Sequence, residues 1–319
     1  MDSITQAALG AAIGQATLGR HIGTKAALAG ALIATIPDID VFLRVFYSSY
    51  DMLRIHRGLS HSLIFGIFGA AVLSLILGRI KLFSTTSFPR LMWFNSLCLV
   101  THSLLDFCTS YGTQLFLPFS DERLGLDIVN VVDPVYTFPL LLGTLGGLFI
   151  PMLKPKMYRW NAVGLIISSC YLALTFGAKM EMNKRLTIEL ESENIQAENI
   201  LTMPVGVGSL NWYGLAISDR GIYMKHYALF GEPFQSFTFF PQNDSLLNRL
   251  DPEVAETMRW FAKGFYTAEA VGDTIRIYNL QVDMRGMLLD RTPPAPTHGF
   301  FEFKPEADGS YGYGYGNMN

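Results

Sequence analysis

The sequence predicts a membrane α-helical bundle of about six spans followed by a small α+β soluble domain. Only 16% of the 319 residues are charged, whereas soluble domains carry roughly 25%. Residues 1–185 contain 15 basic and 10 acidic residues, and residues 186–319 contain 9 and 17. Long uncharged runs fill the first part of the chain, and alternating polar and apolar residues follow in the second.

Six apolar segments form the predicted bundle. The first, residues 3–19, carries Gly10 and Gly14, whose spacing favours close helix contact in lipid. The second covers residues 26–36 and continues at 41–47, so that the first two segments form a hairpin. The remaining spans are residues 58–78, 91–106, 134–153 and 160–178. These segments define a transmembrane domain at residues 1–183.

Residues 184–308 are predicted to form the soluble domain. Polar and apolar residues alternate over residues 211–228, with a turn at 218–221, which indicates a β-hairpin. Two more strands are predicted at residues 265–271 and 274–282. A helix is predicted over residues 246–263, with its start at Asp251-Pro252-Glu253. The tail, residues 309–319, repeats Gly and Tyr and is predicted to be disordered.

The links between the predicted spans indicate an orientation. Residues 20–25, 79–90 and 154–159 contain eight basic residues and no acidic residue, and the positive-inside rule places them in the cytoplasm. The opposite ends of the spans and the C-terminal domain are then extracytoplasmic in an inner (plasma) membrane. Membrane lipids are the expected partners. Nucleic acid is not expected, because the chain lacks a basic stripe with interleaved aromatic residues.

Seven imidazole and carboxylate side chains share a position at or beside the end of a predicted span: Asp38, Asp40, His56, His61, His102, Asp106 and Asp133. His102 and Asp106 are four residues apart and therefore lie on one helix face. Alternation of the spans brings all seven to the same side of the membrane. Ionisable groups at such depths are costly and tend to be functional. The pattern therefore predicts a site at one membrane face.

Nitrogen and carboxylate ligands are those of a divalent metal, and zinc is the preferred candidate. The predicted ligands are His56, His61, His102 and Asp106. The predicted catalytic residues are Asp38, Asp40, Arg57 and Asp133. The carboxylates could orient a histidine or accept a proton from water, and Arg57 could bind an anionic substrate group.

Helix capping is the alternative role for Asp38 and Asp40. The dipole at a helix start explains Asp2, Asp127 and Asp133 without any metal. Ser60 and Ser62 are interpreted as helix-cap residues or as supports for a ligand, since no Gly-x-Ser-x-Gly frame surrounds them.

A metal at this site would activate water for hydrolysis of a lipid-like or membrane-associated ester or phosphoester. Two other functions remain open. Intramembrane His and Asp residues could relay ions or protons in a transporter. A non-catalytic membrane scaffold could retain a structural metal.

Several strings resemble the YdjM-like membrane-bound metal-dependent hydrolase family, and most closely its YfhP-like branch. They are PDID at 37–40, HRGLSHS at 56–62, HSLLD at 102–106 and YGTQLFLPFS at 111–120, with further similarity around residues 211–212, 223–229 and 261–266. The resemblance implies a multi-pass membrane protein with these His and Asp residues as metal ligands. The family commonly has MD-x-x-TH near its start, where this chain has Gln6 in place of histidine. An amide is a poorer zinc ligand than imidazole.

Overall fold

The computed structural model describes residues 1–149, 157–231, 236–281, 299–306 and 311–317. The chain divides into two compact units. The helical unit consists of residues 1–126 and 131–174, and the β unit consists of residues 127–130 and 175–319. The predicted boundary near residue 184 therefore differs from the observed one, and residues 175–183 belong with the β unit.

The helical unit begins with the predicted hairpin of α1 (Ser3–Ile22) and α2 (Lys25–Ala34). Glycines allow the two helices to approach closely. A methyl group on Gly10 would overlap the carbonyl oxygen of Gly30, and one on Gly14 would overlap the carbonyl oxygen of Ala26. The close contact predicted from the spacing of Gly10 and Gly14 is confirmed.

The other helices of this unit follow in chain order. A 3₁₀ segment, Pro37–Val45, and the short α3 (Asp51–Ile55) lead to a second 3₁₀ turn, Leu59–His61. The longer elements are α4 (Leu63–Leu77), α5 (Phe88–Phe107), α6 (Pro134–Phe149) and α7 (Met157–Ser192), with a 3₁₀ turn, Lys81–Phe83, between α4 and α5.

Several helix ends meet at one end of the helical unit. Before α1, the backbone N–H of Asp2 donates to the carbonyl of Val131, 2.9 Å away and close to the start of α6. The N–H of Leu63, at the start of α4, donates to Leu115 at 3.0 Å. His102, near the end of α5, reaches the carbonyl of Ala34, the last residue of α2. The predicted convergence of these segment ends is therefore present.

The number of membrane spans differs from the prediction. Among the described helices, Tyr158–Ser192 is long and apolar enough to cross a membrane. Two bent pairs meet the same criterion if each is one span: Lys25–Ala34 with Pro37–Val45, bent by 52°, and Asp51–His61 with Leu63–Leu77, bent by 56°. Six spans are not confirmed. The structure breaks the chain at these bends, and the predicted span 134–153 extends beyond the described residues.

The β unit contains two four-stranded antiparallel sheets. The first has the order β1 (Asn199–Val205), β2 (Asn211–Ser218), β3 (Gly221–Ala228), β4 (Thr238–Pro241). The second has the order β5 (Tyr266–Val271), β6 (Thr274–Asn279), β7 (Gly299–Pro305), β8 (Tyr311–Asn317). The predicted hairpin over residues 211–228 is confirmed, because Ser218 pairs with Gly221 across the turn.

The predicted helix over residues 246–263 is divided. A 3₁₀ segment, Asp244–Arg249, precedes α8 (Pro252–Ala262), which begins where the sequence predicts because Asp251 accepts from the N–H of Glu253. The predicted strand 274–282 is present as β6, and its last residue, Val282, lies outside the described residues.

The tail was predicted to be disordered, but most of it forms a strand. Residues 311–317 form β8, which pairs with β7 from Gly299–Asn317 to Pro305–Tyr311. The alternating tyrosines supply the packing, since the ring of Tyr313 lies 5.5 Å from Phe303 and 6.1 Å from Phe301 between centroids. Low complexity here reflects a strand with aromatic side chains at every second position.

α7 contributes to the core of the β unit. Met182, Leu186 and Leu190 pack with Trp212 and Tyr227 in one buried cluster. Both aromatic side chains are almost completely buried, with exposures of 0% and 1%. This packing explains why the boundary between the units falls before residue 184.

Candidate metal centre

Four side chains at the common end of the helices form a group that could hold a metal ion: Asp38, His61, His102 and Asp106. We call them the His/Asp cluster. Each offers one ligand atom, and these four atoms lie within 4.8 Å of one another. His61, His102 and Asp106 are completely buried, whereas the side chain of Asp38 is 19% exposed. The cluster is therefore closed on most sides and accessible beside Asp38.

The ligand atoms face a common point. The two Nε2 atoms of His61 and His102 are 3.1 Å apart. Oδ1 of Asp38 lies 3.4 Å from each of them. Oδ2 of Asp106 lies 3.3 Å from His61 Nε2 and 3.7 Å from His102 Nε2. The cluster thus presents two nitrogens and two carboxylate oxygens.

Hydrogen bonds on the far side of each imidazole fix its tautomer. Nδ1 of His102 lies 2.6 Å from the carbonyl oxygen of Ala34 and must donate to it, because a carbonyl only accepts. Ser60 Oγ donates its one proton to Asp40 Oδ2 at 2.7 Å, so it accepts from His61 Nδ1 at 2.9 Å. Both Nε2 atoms therefore carry lone pairs in the neutral imidazoles. Such outer hydrogen bonds orient metal-binding histidines.

The donor set fits a metal cation. Two nitrogen lone pairs and two carboxylate oxygens converge, and acceptor atoms this close repel one another. Oδ2 of Asp106 is buried and accepts no hydrogen bond from the described residues. Its positive neighbour is Arg57, whose Nε lies 3.2 Å away, and a carboxylate oxygen has a second lone pair that remains available to a cation. A cation at the common point would satisfy all four atoms.

His56, a predicted ligand, lies outside the His/Asp cluster. Its Nδ1 donates to Asp40 Oδ1 at 2.8 Å, and its side chain is 27% exposed. The cause is local geometry: Arg57 has a positive φ of 58°, which turns the chain sharply between His56 and His61. Asp38, predicted to be catalytic, is the fourth member of the cluster instead. His56 nevertheless stays close to the centre, with its ring centroid 5.8 Å from that of His61.

Asp40, predicted to be catalytic, contacts His56 directly and His61 through Ser60. It is buried and accepts from His56, from Ser60 and, at 3.3 Å, from the backbone N–H of Arg57. The interpretation of the two serines is also confirmed. Ser60 links Asp40 to His61, and Ser62 caps α4 by accepting from the N–H of Phe65 at 3.1 Å.

Arg57 is buried beside Asp106. Its Nε lies 3.2 Å from Asp106 Oδ2, and its Nη1 donates to Thr109 Oγ1 at 2.8 Å. Its guanidinium also lies over the ring of Tyr111, with Arg123 against the same ring. Burial lowers the pKa of Arg123 to about 10, which leaves it charged at neutral pH. These contacts make Arg57 a positioning residue for Asp106.

The structure places Asp133 apart from the cluster. It is completely buried at the start of α6, where it accepts from the N–H of Val135 at 3.0 Å and from Tyr171 Oη at 2.6 Å. Asp2 caps α1 by accepting from Ile4 and Thr5. Asp127 pairs with Lys179 at 3.2 Å in the β unit. Helix capping explains Asp2 and Asp133 as the sequence analysis allowed.

Gln6 lies beside the centre. It is completely buried, and its Nε2 donates to Asp106 Oδ1 and to the carbonyl of His102, both at 3.2 Å. The Met1 nitrogen donates to the same Asp106 oxygen. The Oε1 atom of Gln6 has no hydrogen-bond donor. Sequence reasoning identified position 6 only through the resemblance. A glutamine one turn into an Ala/Gly-rich helix is itself a signal of a buried polar contact.

Comparison with known proteins shows which family this chain matches and which proteins it is similar to. The YdjM inner membrane protein family matches residues 1–182, more than half of the chain. The chain is similar to the uncharacterized protein YfhP of Bacillus subtilis (strain 168), with 28% identity over 214 residues, which is 64% of this chain and 62% of YfhP. It is also similar to the inner membrane protein YbcI of Escherichia coli (strain K12), with 34% identity over 122 residues, 38% of this chain and 69% of YbcI.

The chain thus matches less than two thirds of the length of YfhP. No solved structure matches it. The matched residues 1–182 contain every member of the His/Asp cluster. The resemblance stated from the sequence strings is confirmed, and the chain belongs to the YdjM inner membrane protein family.

Proposed function

We propose that this protein is a metal-dependent hydrolase that acts at the surface of the inner membrane on a lipid-like or membrane-associated ester or phosphoester. The observation that carries the proposal is the buried His/Asp cluster, in which two Nε2 lone pairs and two carboxylate oxygens converge. Zinc is the preferred cation, since two imidazoles and two carboxylates suit its four-coordinate chemistry.

When bound, such a cation supplies Lewis acidity, which activates water and polarises a carbonyl or phosphoryl oxygen. The residues around the cluster hold the ligands in place. Ser60 and Asp40 fix the ring of His61, and Arg57 and Gln6 hold Asp106. His56 and Asp40 form a hydrogen-bonded pair that reaches solvent, since His56 is partly exposed. This pair offers a route by which a proton leaves the site.

The surroundings of Asp38 favour a substrate that lies in the membrane. Asp38 belongs to the 3₁₀ segment Pro37–Val45, in which every third residue lies on one side. Ile39, Phe42 and Val45 occupy such a side and are 57%, 66% and 76% exposed. Large apolar side chains this exposed suit lipid contact. The accessible ligand of the cluster therefore sits on an element with a lipid-compatible face.

The proposed orientation is multi-pass, with the site and the β unit on the extracytoplasmic side. It follows from the basic residues in the links 20–25, 79–90 and 154–159. In this arrangement α7 and the two bent pairs count as spans, and α1, α5 and α6 complete the bundle of six.

The test is hydrolysis by purified protein in nanodiscs that contain phospholipids, phosphorylated lipids and carboxylic esters as separate substrates. We expect product release that a chelator abolishes and that added Zn²⁺ restores. His61→Ala should lower the rate by about 100-fold or more, because it removes a ligand of the activating cation. His21→Ala is the matched control, since His21 is exposed at the C-terminal end of α1.

Two outcomes would replace the proposal. Flux of protons or metal ions into vesicles that depends on His61, with no hydrolytic product, would favour the transporter function. Metal bound by the protein with neither product nor flux would favour the scaffold function.

A further inference from the structure

An apolar groove runs along the outside of the helical unit, away from the residues that the proposed reaction uses. It has a volume of about 610 Å³ and is lined by α1, α2 and α6. Its floor and wall contain Ala7, Ala11, Ala27, Ala31, Leu141 and Leu145. This volume lies within the roughly 300–1,000 Å³ typical of pockets for small ligands.

The shape of the groove suits an extended hydrocarbon chain. The alanines of α1 and α2 form a low floor, and Leu141 and Leu145 lie four residues apart on one face of α6. The rims are open to the surroundings, because Ile4 and Leu28 are 68% and 65% exposed. In an inner membrane protein, this exposed apolar surface faces lipid chains rather than water.

One end of the groove is cationic. Thr24 and Lys25 line it there, in the turn between α1 and α2. Arg20 lies near the end of α1, with its guanidinium over the ring of Tyr158. Lys25 is exposed. Exposed basic side chains beside a membrane attract anionic lipid headgroups.

The length of α2 separates the cationic end from the His/Asp cluster. Gln6, in the second turn of α1, contacts Asp106 of the cluster, and α1 then runs to Ile22 before the turn that holds Thr24 and Lys25. The chain then returns along α2, whose 10 residues span about 15 Å and end at Ala34, which accepts from His102 of the cluster. A phosphate bound at Lys25 would therefore lie about 15 Å from the metal centre, beyond direct contact with it, and its lipid would not be the substrate.

We infer that this groove binds one acyl chain of an anionic phospholipid whose phosphate is held at Lys25. The inference rests on the apolar lining and on the single cationic end, and it does not depend on hydrolysis. The acyl chain runs from Lys25 along the alanine floor toward Ser3 and Ile4. A bound lipid of this kind would fill the space between the α1–α2 hairpin and α6.

The test uses full-length protein in nanodiscs that contain either phosphatidylglycerol or phosphatidylcholine with a photoactivatable diazirine near the end of one acyl chain. Mass spectrometry locates the crosslinks after illumination. With phosphatidylglycerol, we expect crosslinks at the far end of the groove, near Ile4 and Ala7. Ala31→Phe, which fills the groove, should reduce them at least about tenfold, whereas Ala16→Phe on the exposed side of α1 should not.

The charge is tested separately, because Ala31→Phe could disturb folding and Lys25→Gln is a surface change. Lys25→Gln should reduce the preference for phosphatidylglycerol over phosphatidylcholine about fivefold, the effect of one basic residue near an anionic headgroup. Lys81→Gln, an exposed lysine that does not line the groove, should leave the preference unchanged.

Several results would overturn the inference. The first is equal crosslinking of the two lipids to wild-type protein. The second is a set of crosslinks confined to Lys25 and Leu148, with none near Ile4 and Ala7. The third is unchanged crosslinking in both Ala31→Phe and Lys25→Gln. Protein–protein crosslinks across the groove would show that a second copy of the chain covers it instead.

Discussion

The two units of this protein differ in where most of their paired charges lie. The helical unit buries His61, His102 and Asp106 completely, with Arg57 only 4% exposed, at one end of its helices. The β unit buries the ion pair Asp127–Lys179, and keeps others such as Asp244–Arg259 at its surface, where the two side chains are 45% and 37% exposed. The first arrangement costs stability unless each charge is compensated. The second is nearly neutral for stability.

This difference indicates where function lies. Apolar side chains of similar size would pack the helix ends at lower cost than buried carboxylates and imidazoles. Arg57 Nε, 3.2 Å from Asp106 Oδ2, compensates only part of this buried charge. The convergence of two nitrogens and two carboxylate oxygens in one buried group distinguishes this end of the helices.

The largest expected effect is a difference in metal content and stability between variants of two buried aspartates of the helical unit, Asp106 and Asp133. Asp106→Asn removes a ligand and leaves Arg57 buried without its partner, so we expect loss of bound metal and about 3–5 kcal/mol of destabilisation. Asp133→Asn should change stability by about 1 kcal/mol or less, because asparagine caps a helix start about as well as aspartate, and it should leave metal content unchanged. Metal analysis and thermal unfolding in detergent measure both effects.

If both variants lost metal equally, the separation of Asp133 from the cluster would be wrong. If neither lost metal, Asp106 would be a structural partner of Arg57 only.

A smaller effect is expected from residues that support the ligands. Asp40→Asn and Ser60→Ala should weaken metal affinity by about 10–100-fold, because they loosen the ring of His61 without removing a ligand. Competition with a fluorescent chelator measures this affinity. Ser84→Ala is the control, since Ser84 is exposed and donates to the carbonyl oxygen of Lys81 nearby. Affinity unchanged by Asp40→Asn would contradict the orienting role of that carboxylate.

The smallest expected effect is a change in stability caused by a substitution in the β unit. Hydrogen bonds from Arg259, and then from Tyr266, hold the pKa of Asp244 below its ordinary value. A carboxylate with a lowered folded-state pKa stabilises the fold above its unfolded pKa, roughly 3.9, and this contribution disappears as the pH falls through the folded pKa. Asp244→Asn should cost about 1 kcal/mol or less at neutral pH, and the deficit should shrink as the pH falls below 4.

Thermal unfolding at several pH values in detergent checks this prediction. Asp219→Asn, in an exposed turn, should show no such dependence. A deficit that grows toward low pH would contradict the assigned role of the Asp244–Arg259 pair.

Much of the candidate centre could be predicted from the sequence. The i, i+4 spacing of His102 and Asp106 and the position of His61 before an uncharged run identified three of its four members. The fourth could not be assigned, because the choice between His56 and Asp38 depends on the positive φ of Arg57 and on the 3₁₀ geometry of Pro37–Val45. Neither feature has a clear sequence signal, since arginine rarely adopts positive φ.

The fold was predicted in outline for similar reasons. The α1–α2 hairpin and the β2–β3 hairpin follow from small-residue spacing and from alternation with a turn. The tail strand was missed because low complexity hid its alternating tyrosines, which pack on β7. Hydropathy alone could not distinguish a straight span from one bent by more than 50°.

The most direct test of the central claim is the metal content of purified wild-type protein and of Asp38→Asn and His56→Gln, measured by elemental mass spectrometry. The assignment of the His/Asp cluster predicts about one metal ion per wild-type chain with four ligands. It also predicts loss of that metal in Asp38→Asn and retention in His56→Gln. Retention in Asp38→Asn together with loss in His56→Gln, or wild-type protein that binds no metal, would contradict it.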